Sequence, residues 1–458
     1  MAVQSRREFL KSLTVVGASV AGAQLIAACA PQVVDAPPPD DAPAEVPAEQ
    51  PPVPSDDPVT LEVWFNFGAA HEESVVRLEN DFMEDHPEIK IDRVNIGDWD
   101  QMRQRTLTAF SAGTGPDVFR IAVFDTAMYA VRNATIPVDE FVATEPTMGS
   151  SDVFIPGFLA NVVYDGKMWA LPWKGSAVAF FWNKRLFEEA GLDPEQPPTT
   201  WDQLITYAKD LTDEDKMQYG FQAIYSESAE GMNFFGPILY SHQADLFDSL
   251  DPSAVTEAAF NTDEGVAALQ LVLDMIEVHK CVNPPGMTIE DIQINEHVAM
   301  WINGQWNVGS IERTAPDLPY GTAVLPDTQF GSSITVTGGD HIAISSVCEN
   351  VQEAWTFCAW CNTPEVNAWY WPLVGGLPGR VELEDDPVFG TPPYDAFMQQ
   401  LEVGAKPRPG VPDITEVLAA IMVEVHLAQF GRQSASQAMA EAERKVNDIL
   451  ERRRQLDG

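Results

Sequence analysis

The sequence predicts an α/β fold, with helices covering parallel or mixed sheets, on three observations. "TLEVWFNFG" (60–68) has the β-branched and aromatic content of a strand, "HEESVVRLENDFMEDHP" places apolar residues at helical spacing, and "IKIDRVNI" returns as a strand. A strand, a helix and a strand in that order pair in parallel, with the helix on one face of the sheet. "DWDQMRQRTLTAFSAGTGPDVFRI" then repeats the alternation: a helix, a glycine turn and a third strand entered at Asp117, Val118 and Phe119. The body after residue 58, about 400 residues, is long enough for two domains with well-buried cores.

The elements follow in order. Val75, Leu78, Phe82 and Met83 give the first helix its apolar face, and Pro87 stops it. In "YDGKMWALPWKGSAVAFFWNKRLFEEAGL", Asp165 and Gly166 form a turn between two strand-like runs, and a helix with Leu186 and Phe187 follows. Thr200 caps a helix that Trp201 opens. Helices are predicted at 263–280 and 288–302, the second ending at Asn303 and Gly304, and another at 351–361. "GRQSASQAMAEAERKVNDILERRR" closes the chain as one long helix, and no fixed-period repeat is present.

The formal charge of −42, from 69 acidic against 27 basic residues, repels nucleic acid and anionic headgroups. Outside the N-terminal segment and the terminal "ERRRQ" there is no basic cluster, so no nucleic-acid partner is expected. Cys358 and Cys361 have CxxC spacing within "EAWTFCAWCNTPE", an amphipathic helical pattern without the Gly-Pro or His interior of redox sites. They read, with Cys281 and Cys348, as structural or core cysteines, and without a second CxxC no four-thiolate zinc site is expected. No nucleophile elbow, HExxH helix, Walker loop or dinucleotide fingerprint occurs. With 69 acids, a pair of carboxylates at glycosidase spacing singles out nothing. No catalytic residue, cofactor or metal is assigned.

Residues 1–29 combine two signals. "SRREFLK", with Arg6 and Arg7, resembles a twin-arginine export motif, and "IAAC" ending at Cys29 resembles a lipobox whose cysteine takes a diacylglycerol. The apolar run between them is too short to span a bilayer comfortably, which takes about 20 residues. Residues 30–58 are rich in Pro, Ala, Asp and Glu, and such a segment acts as a spacer. The expected location is extracytoplasmic, with the body anchored to the cell membrane through lipidated Cys29.

The body itself resembles the family 1 extracellular solute-binding proteins of ABC importers, the group that includes maltose-binding protein. The matching pieces, in order, are "FMEDHPEIKID", "SAGTGPDVF", "YDGKMWALPW", "FFWNKRLFEEAGL", "PPTTWDQLITYAKDLT", "HVAMWINGQWNVGSI", "YGTAVLP", "GGDHIAIS" and "GRQSASQAM". The resemblance implies a two-lobed periplasmic-binding-protein fold (type II), with hinge-linked mixed sheets flanked by helices. The first lobe would hold 59–173 and 326–361, and the second 174–325 and 362–458. It also implies permease subunits as partners, and a ligand gripped in the cleft as the lobes close about hinges of a few residues. A mono- or oligosaccharide is the expected ligand, because 12 Trp supply flat faces for sugar C–H bonds beside planar polar groups for hydroxyls.

Carried onto this sequence, the turn after the first strand offers Asn66, Phe67, His71 and Glu72 as cleft residues, and the third strand delivers Phe124 and Asp125. Asp125 serves equally well as a helix N-cap. The crossover "LPWKGSAV" offers Trp173, Lys174 and Ser176; "WINGQW" offers Trp306, with Trp301 assigned to the core. Gly338 and Gly339 allow close backbone approach beside Asp340, with His341 ranked below it. Trp371 and Gly376 come from "WYWPLVGGLPGR", where Trp369 is assigned to the core, and Tyr240 and His242 come from the second lobe. Before "GRQ" the helix face is aliphatic where the family carries an aromatic contact, so maltodextrin itself is not expected. A polyamine or a glycerol phosphate is the alternative ligand class, a membrane sensor the alternative recipient, and a secreted carbohydrate-active enzyme the alternative function. Dense carboxylates in the cleft would favour polyamine, and a cluster of Arg or Lys would favour phosphate.

Overall fold

A computed structural model describes residues 57–288 and 294–457. Cys29, Arg6, Arg7 and nearly all of the 30–58 spacer lie outside the described residues. The described body opens with strands β1 (Val59–Phe65), β2 (Ile89–Asn95) and β3 (Val118–Ala122), which pair in parallel with β1 in the middle. Helix Glu72–Asp85 packs Val75, Leu78 and Phe82 inward, as its spacing predicts. A short hairpin, β4 (Val163–Tyr164) and β5 (Lys167–Met168), turns at Asp165 and Gly166.

β6 (Leu171–Asn183) is the long strand of the molecule. Its 13 residues span about 43 Å at the usual strand rise. β7 (Tyr219–Phe221), β8 (Val298–Gly304), β9 (Tyr320–Ala323), β10 (Thr335–Ile344), β11 (Leu377–Pro378) and β12 (Ala405–Pro407) complete a ten-stranded mixed sheet with a main order of β2-β1-β3-β10-β6-β8-β7. The first half of β6 pairs with β10, and its second half, from Val178, pairs with β8 and β9. β10 behaves in the same way, meeting β12 from Thr335 to Thr337 and β3 from Asp340 to Ile344. These two strands therefore carry the chain between two separate hydrophobic cores.

One core gathers Leu61, Phe65, Phe82, Phe119, Trp173, Phe357 and Tyr370; the other gathers Phe180, Leu204, Leu239, Leu269, Met300, Leu418 and Val446. A smaller cluster, with Phe181, Trp301 and Phe397, fills the opposite face of β6. Val366, Tyr370, Trp371, Val374, Leu383 and Phe389, from the part of the chain that the resemblance places in the second lobe, pack into the first core. Where the two halves meet, Gln305 accepts from the Ala177 N–H (3.2 Å) and donates to the Gly175 carbonyl (3.3 Å). Thr335 Oγ1 holds both the N–H and the C=O of Val178. Gly339, at φ +153°, lies so close to β6 that a Cβ there would sit 1.7 Å from the Lys174 carbonyl oxygen, so only glycine fits this crossing.

Most predicted elements form. Thr200 Oγ1 accepts from the Gln203 N–H at 3.2 Å, and the terminal helix runs Ala435–Asp457. The helix predicted at 288–302 is corrected over its last part: residues 289–293 lie outside the described residues, while Val298–Gly304 is strand β8, buried at all seven positions, and Asn303 and Gly304 end that strand. A short apolar run buried on both faces has no periodicity to separate helix from strand. Cys281, Cys348, Cys358 and Cys361 are free and buried, and burial raises their thiol pKa values, that of Cys281 to about 11. Among the described residues, no helix is long and apolar enough to cross a membrane.

Candidate functional site

The end of β3 and the middle stretches of β6 and β10 face the helix Met232–Ser241, the start of helix Trp306–Thr314 and the residue after β12. Between them lies a cavity of ≈ 340 Å³, lined by Trp99, Arg120, Lys174 and Asp340 on one side and by Glu230, Asn233, Phe234, Trp306 and Arg408 on the other. Ala122, Val123, Phe124, Ser176 and Gly339 form its floor.

The first wall is an ion cluster. Asp340, 7 % exposed, accepts from the Arg120 guanidinium in a short contact and from Lys174 Nζ at 3.0 Å. Arg120 also donates to Asn66 Oδ1 (3.1 Å), and its Cζ lies 4.0 Å from the centroid of the Phe67 ring and 4.8 Å from that of Trp99. Burial alone would raise the Asp340 carboxyl, but Arg120 and then Lys174 outweigh it and hold the group below its ordinary pKa. Burial lowers the Lys174 ammonium; Asp340 pulls it back in part, and Arg120 adds to the fall. His71, close enough to feel this cluster, is lowered to about 4 by burial first and then by Arg313, Lys174 and Arg120.

The second wall is more open and less neutralised. The Trp306 indole, half-buried, lies across Gly304, where a Cβ would sit 2.0 Å from the ring. Asn233 links two charges: its amide donates to Glu230 Oε2 (3.0 Å) and its Oδ1 accepts from Arg408 Nη1 (2.6 Å). Surrounding protein raises the Glu230 carboxyl, against the pull of Arg408 and Arg103. Beside the cavity, Asp125 joins the halves by accepting from Arg103 Nε (2.6 Å) and from Thr415 Oγ1 (3.1 Å) on helix Ile414–Gln429.

Of the residues singled out in the sequence, Phe124, Lys174, Ser176, Trp306, Gly339 and Asp340 line the cavity. Asn66 and Phe67 stand behind Arg120 and support it. Gly338 leaves space that a Cβ would take from Val123 and from Arg408 Nη2, and Gly376 leaves room for the Lys174 stem. Several placements differ from expectation. Trp173 and Trp371 are fully buried in the first core, where they contact each other edge to face; Trp369, assigned to the core, is half-buried under Arg77. Tyr240 is buried in the second core, and Glu72 is exposed and paired with Arg93. Asp125 precedes the helix Thr126–Ala130 without capping it, because its carboxylate is committed to Arg103 and Thr415. His341 is enclosed against the Val123 carbonyl and His242 against that of Ile238.

Trp99, Arg120, Glu230, Asn233, Phe234 and Arg408 are cavity residues that the sequence reading missed. Arg120 had a usable signal: an arginine inside the buried strand "VFRIA" must have a partner, since charged residues are almost never fully buried unpaired. Among the described residues, no three His, Cys, Asp or Glu side chains gather to hold a metal ion.

The model of the family "Bacterial extracellular solute-binding protein" matches residues 68–368. A binding protein of Brucella abortus (strain 2308) is 26 % identical over 363 residues, which cover 77 % of this chain and 84 % of that protein. Among solved structures, a solute-binding protein from Thermotoga lettingae bound with α-D-tagatose is 24 % identical with a TM-score of 0.76, covering 86 % of this chain and 100 % of that one. A Listeria monocytogenes substrate-binding protein in complex with cycloalternan, 20 % identical, also has a TM-score of 0.76 and covers 86 % of this chain and 99 % of that one. With the family model covering well over half its length, the chain belongs to the bacterial extracellular solute-binding proteins.

Proposed function

We propose that the protein captures a mono- or oligosaccharide between its two halves and delivers it, chemically unchanged, to the permease subunits of an ABC importer. The observation that carries this reading is the composition of the cavity. Trp99, Phe124, Phe234 and Trp306 supply flat apolar surface, and Asn233, Ser176 and the charged groups supply planar or directional partners for hydroxyls. The tagatose and cycloalternan held by the two solved relatives support the same class of ligand. At ≈ 340 Å³ the cavity is at the small end of the usual range of about 300–1,000 Å³, which favours a short saccharide. A polyamine fits poorly, because Arg120, Lys174 and Arg408 already crowd the same space with positive charge. Lipidated Cys29 and the acidic spacer would keep the body beside the permease, and Arg6 and Arg7 would direct its export.

Thermal unfolding of the purified chain with sugars, polyamines and phosphate esters tests the reading, since a ligand that binds only the folded state raises the melting temperature. A sugar is expected to raise it. A shift with polyamines and none with any sugar would sink the carbohydrate reading. Trp306→Ala is expected to weaken sugar binding at least about 30-fold, the loss typical of a central aromatic anchor, while unfolding stays cooperative. Unchanged affinity would remove Trp306 from the site.

A further inference from the structure

Arg408 follows β12 on the second wall of the cavity and is only 2 % exposed. A guanidinium has five N–H donors, and a buried one ordinarily spends them on a carboxylate or on several carbonyls. Arg408 spends one, on Asn233 Oδ1 at 2.6 Å. Its Nε is buried without a hydrogen-bond partner, and no carboxylate comes within ion-pairing distance among the described residues. Glu230, the nearest acid in electrostatic terms, is held off by the Asn233 amide, which bonds to both. Leaving a buried cation in this condition is costly unless something else completes it.

The rest of the cavity brings no carboxylate into contact with Arg408. Asp340 is the carboxylate of the opposite wall, and it already serves two cations, Arg120 and Lys174. Three cations thus face one shared carboxylate and one acid, Glu230, that acts on Arg408 across Asn233 without touching it. In a protein whose formal charge is −42, this is a local reversal of sign. A positive pocket in a negative body concentrates an anion only at short range, so the arrangement selects the bound group more than it attracts from afar.

We propose that the ligand is an acidic sugar, and that Arg408 receives its oxyanion, a carboxylate or a phosphate, through the N–H groups the protein leaves unused. The proposal rests on the saccharide reading above and narrows it. Trp306 and Phe234 hold the ring, Arg408 fixes its charged end, and the Arg120–Asp340–Lys174 cluster faces the hydroxyls from the other wall. The planar fork of a guanidinium matches both oxyanions in bidentate fashion, which a lysine at this position would not do.

Calorimetric titration of the purified chain with matched pairs tests this: glucose against glucuronate, galactose against galacturonate, and glucose against glucose 6-phosphate. The acidic member is expected to bind at least about tenfold more tightly than its neutral parent, with an advantage that shrinks as salt is raised. Whether uronate or phosphate gains more identifies the oxyanion. Arg408→Met is expected to erase the difference between acidic and neutral members, and Arg408→Lys to retain part of it. The wild-type pairs decide the matter even if Arg408→Met does not fold. Neutral sugars binding as tightly as their acids, or an acid-to-neutral ratio unchanged in Arg408→Met, would overturn the proposal and leave the saccharide reading standing. If neither acidic nor neutral sugars bind, the saccharide reading falls and this one falls with it.

Discussion

The two walls of the cavity treat buried charge in opposite ways. On the first, Asp340 gathers Arg120 and Lys174, and Phe67 and Trp99 lie against the guanidinium, so that both cations have a carboxylate in contact, although Arg120 Nε, like Arg408 Nε, is buried without a hydrogen-bond partner. On the second, Arg408 donates one hydrogen bond, to Asn233, and lies over the Phe124 ring with no carboxylate in contact, and Trp306 presents a half-buried indole. A wall whose charges are paired internally holds its shape when the site is empty. A wall left incomplete gains most when the site is filled. Under the proposed role of Arg408, the first wall positions the ligand and the second selects it.

The two walls are expected to differ most in what each contributes to stability. Removing one partner of a buried ionic cluster leaves the others without countercharge, which typically costs about 3–5 kcal/mol. Asp340→Asn is expected to lose that much in urea unfolding, because Arg120 and Lys174 stay buried beside a neutral amide. Arg408→Met, which removes a cation that has no acid in contact, is expected to cost less, because its one charge-assisted hydrogen bond, worth about 1.5–3 kcal/mol, is offset by relieving a buried cation without a carboxylate. Equal losses in the two variants would erase the distinction between the walls.

Next in size is a dependence on pH. His341, beside Asp340 on β10, is fully enclosed; burial lowers its pKa from 6.5 to about 4, against the opposing effects of the Val123 carbonyl and Asp340. Between those values the unfolded chain holds a proton that the folded chain does not. Stability contributed by His341 is therefore complete above about pH 6.5, falls as the pH drops towards 4, and changes little below that, a loss of about 3 kcal/mol in all. Asp340 acts in a lower window, since its depressed pKa gives stability that is lost only as the pH falls below the ordinary carboxylate range. Denaturant titrations from pH 7 to pH 4 are expected to show a flatter profile for His341→Gln than for wild type. Some slope remains, because His71 is also lowered to about 4. An unchanged profile would mean that the back of the first wall does not feel the proton.

Much of this architecture could be read from the sequence because it is local. The β1-helix-β2 alternation, the turn at Asp165 and Gly166, the Thr200 cap and the crossover at "LPWKGSAV" each declare themselves within a few residues. What stayed hidden depends on the third dimension. Trp369 and Trp371 lie in one helix, and spacing alone does not say which face meets the core; the structure buries Trp371, whose Nε1 donates to Asn367. Asp125 looks like a cap until Arg103 and Thr415, 22 and 290 residues away in the chain, arrive at its carboxylate. Arg408 was the least legible. Its interest is the carboxylate it lacks, and a missing partner leaves no mark in "KPRPG".

The smallest effect concerns how the two walls come together. Asp125 lies just past β3, and its carboxylate takes Arg103 from the first half and the Thr415 hydroxyl from helix Ile414–Gln429, which packs in the second core. Arg103 remains when Thr415 changes, so the buried acid keeps its countercharge, and only one neutral-to-charged hydrogen bond between the halves is lost. Thr415→Val keeps the shape of the side chain and removes the donor. A hydrogen bond to a charged group is worth about 1.5–3 kcal/mol, and water reaching the half-buried hydroxyl site brings it to the bottom of that range or below. If the bond forms only when the walls are together, its loss falls on the closed state, and sugar affinity is expected to drop about three- to tenfold with the unfolding midpoint almost unmoved. If the bond persists in every arrangement of the halves, the midpoint would fall and the affinity would not. Measuring both on one variant separates a contact that holds the protein together from one that holds it shut.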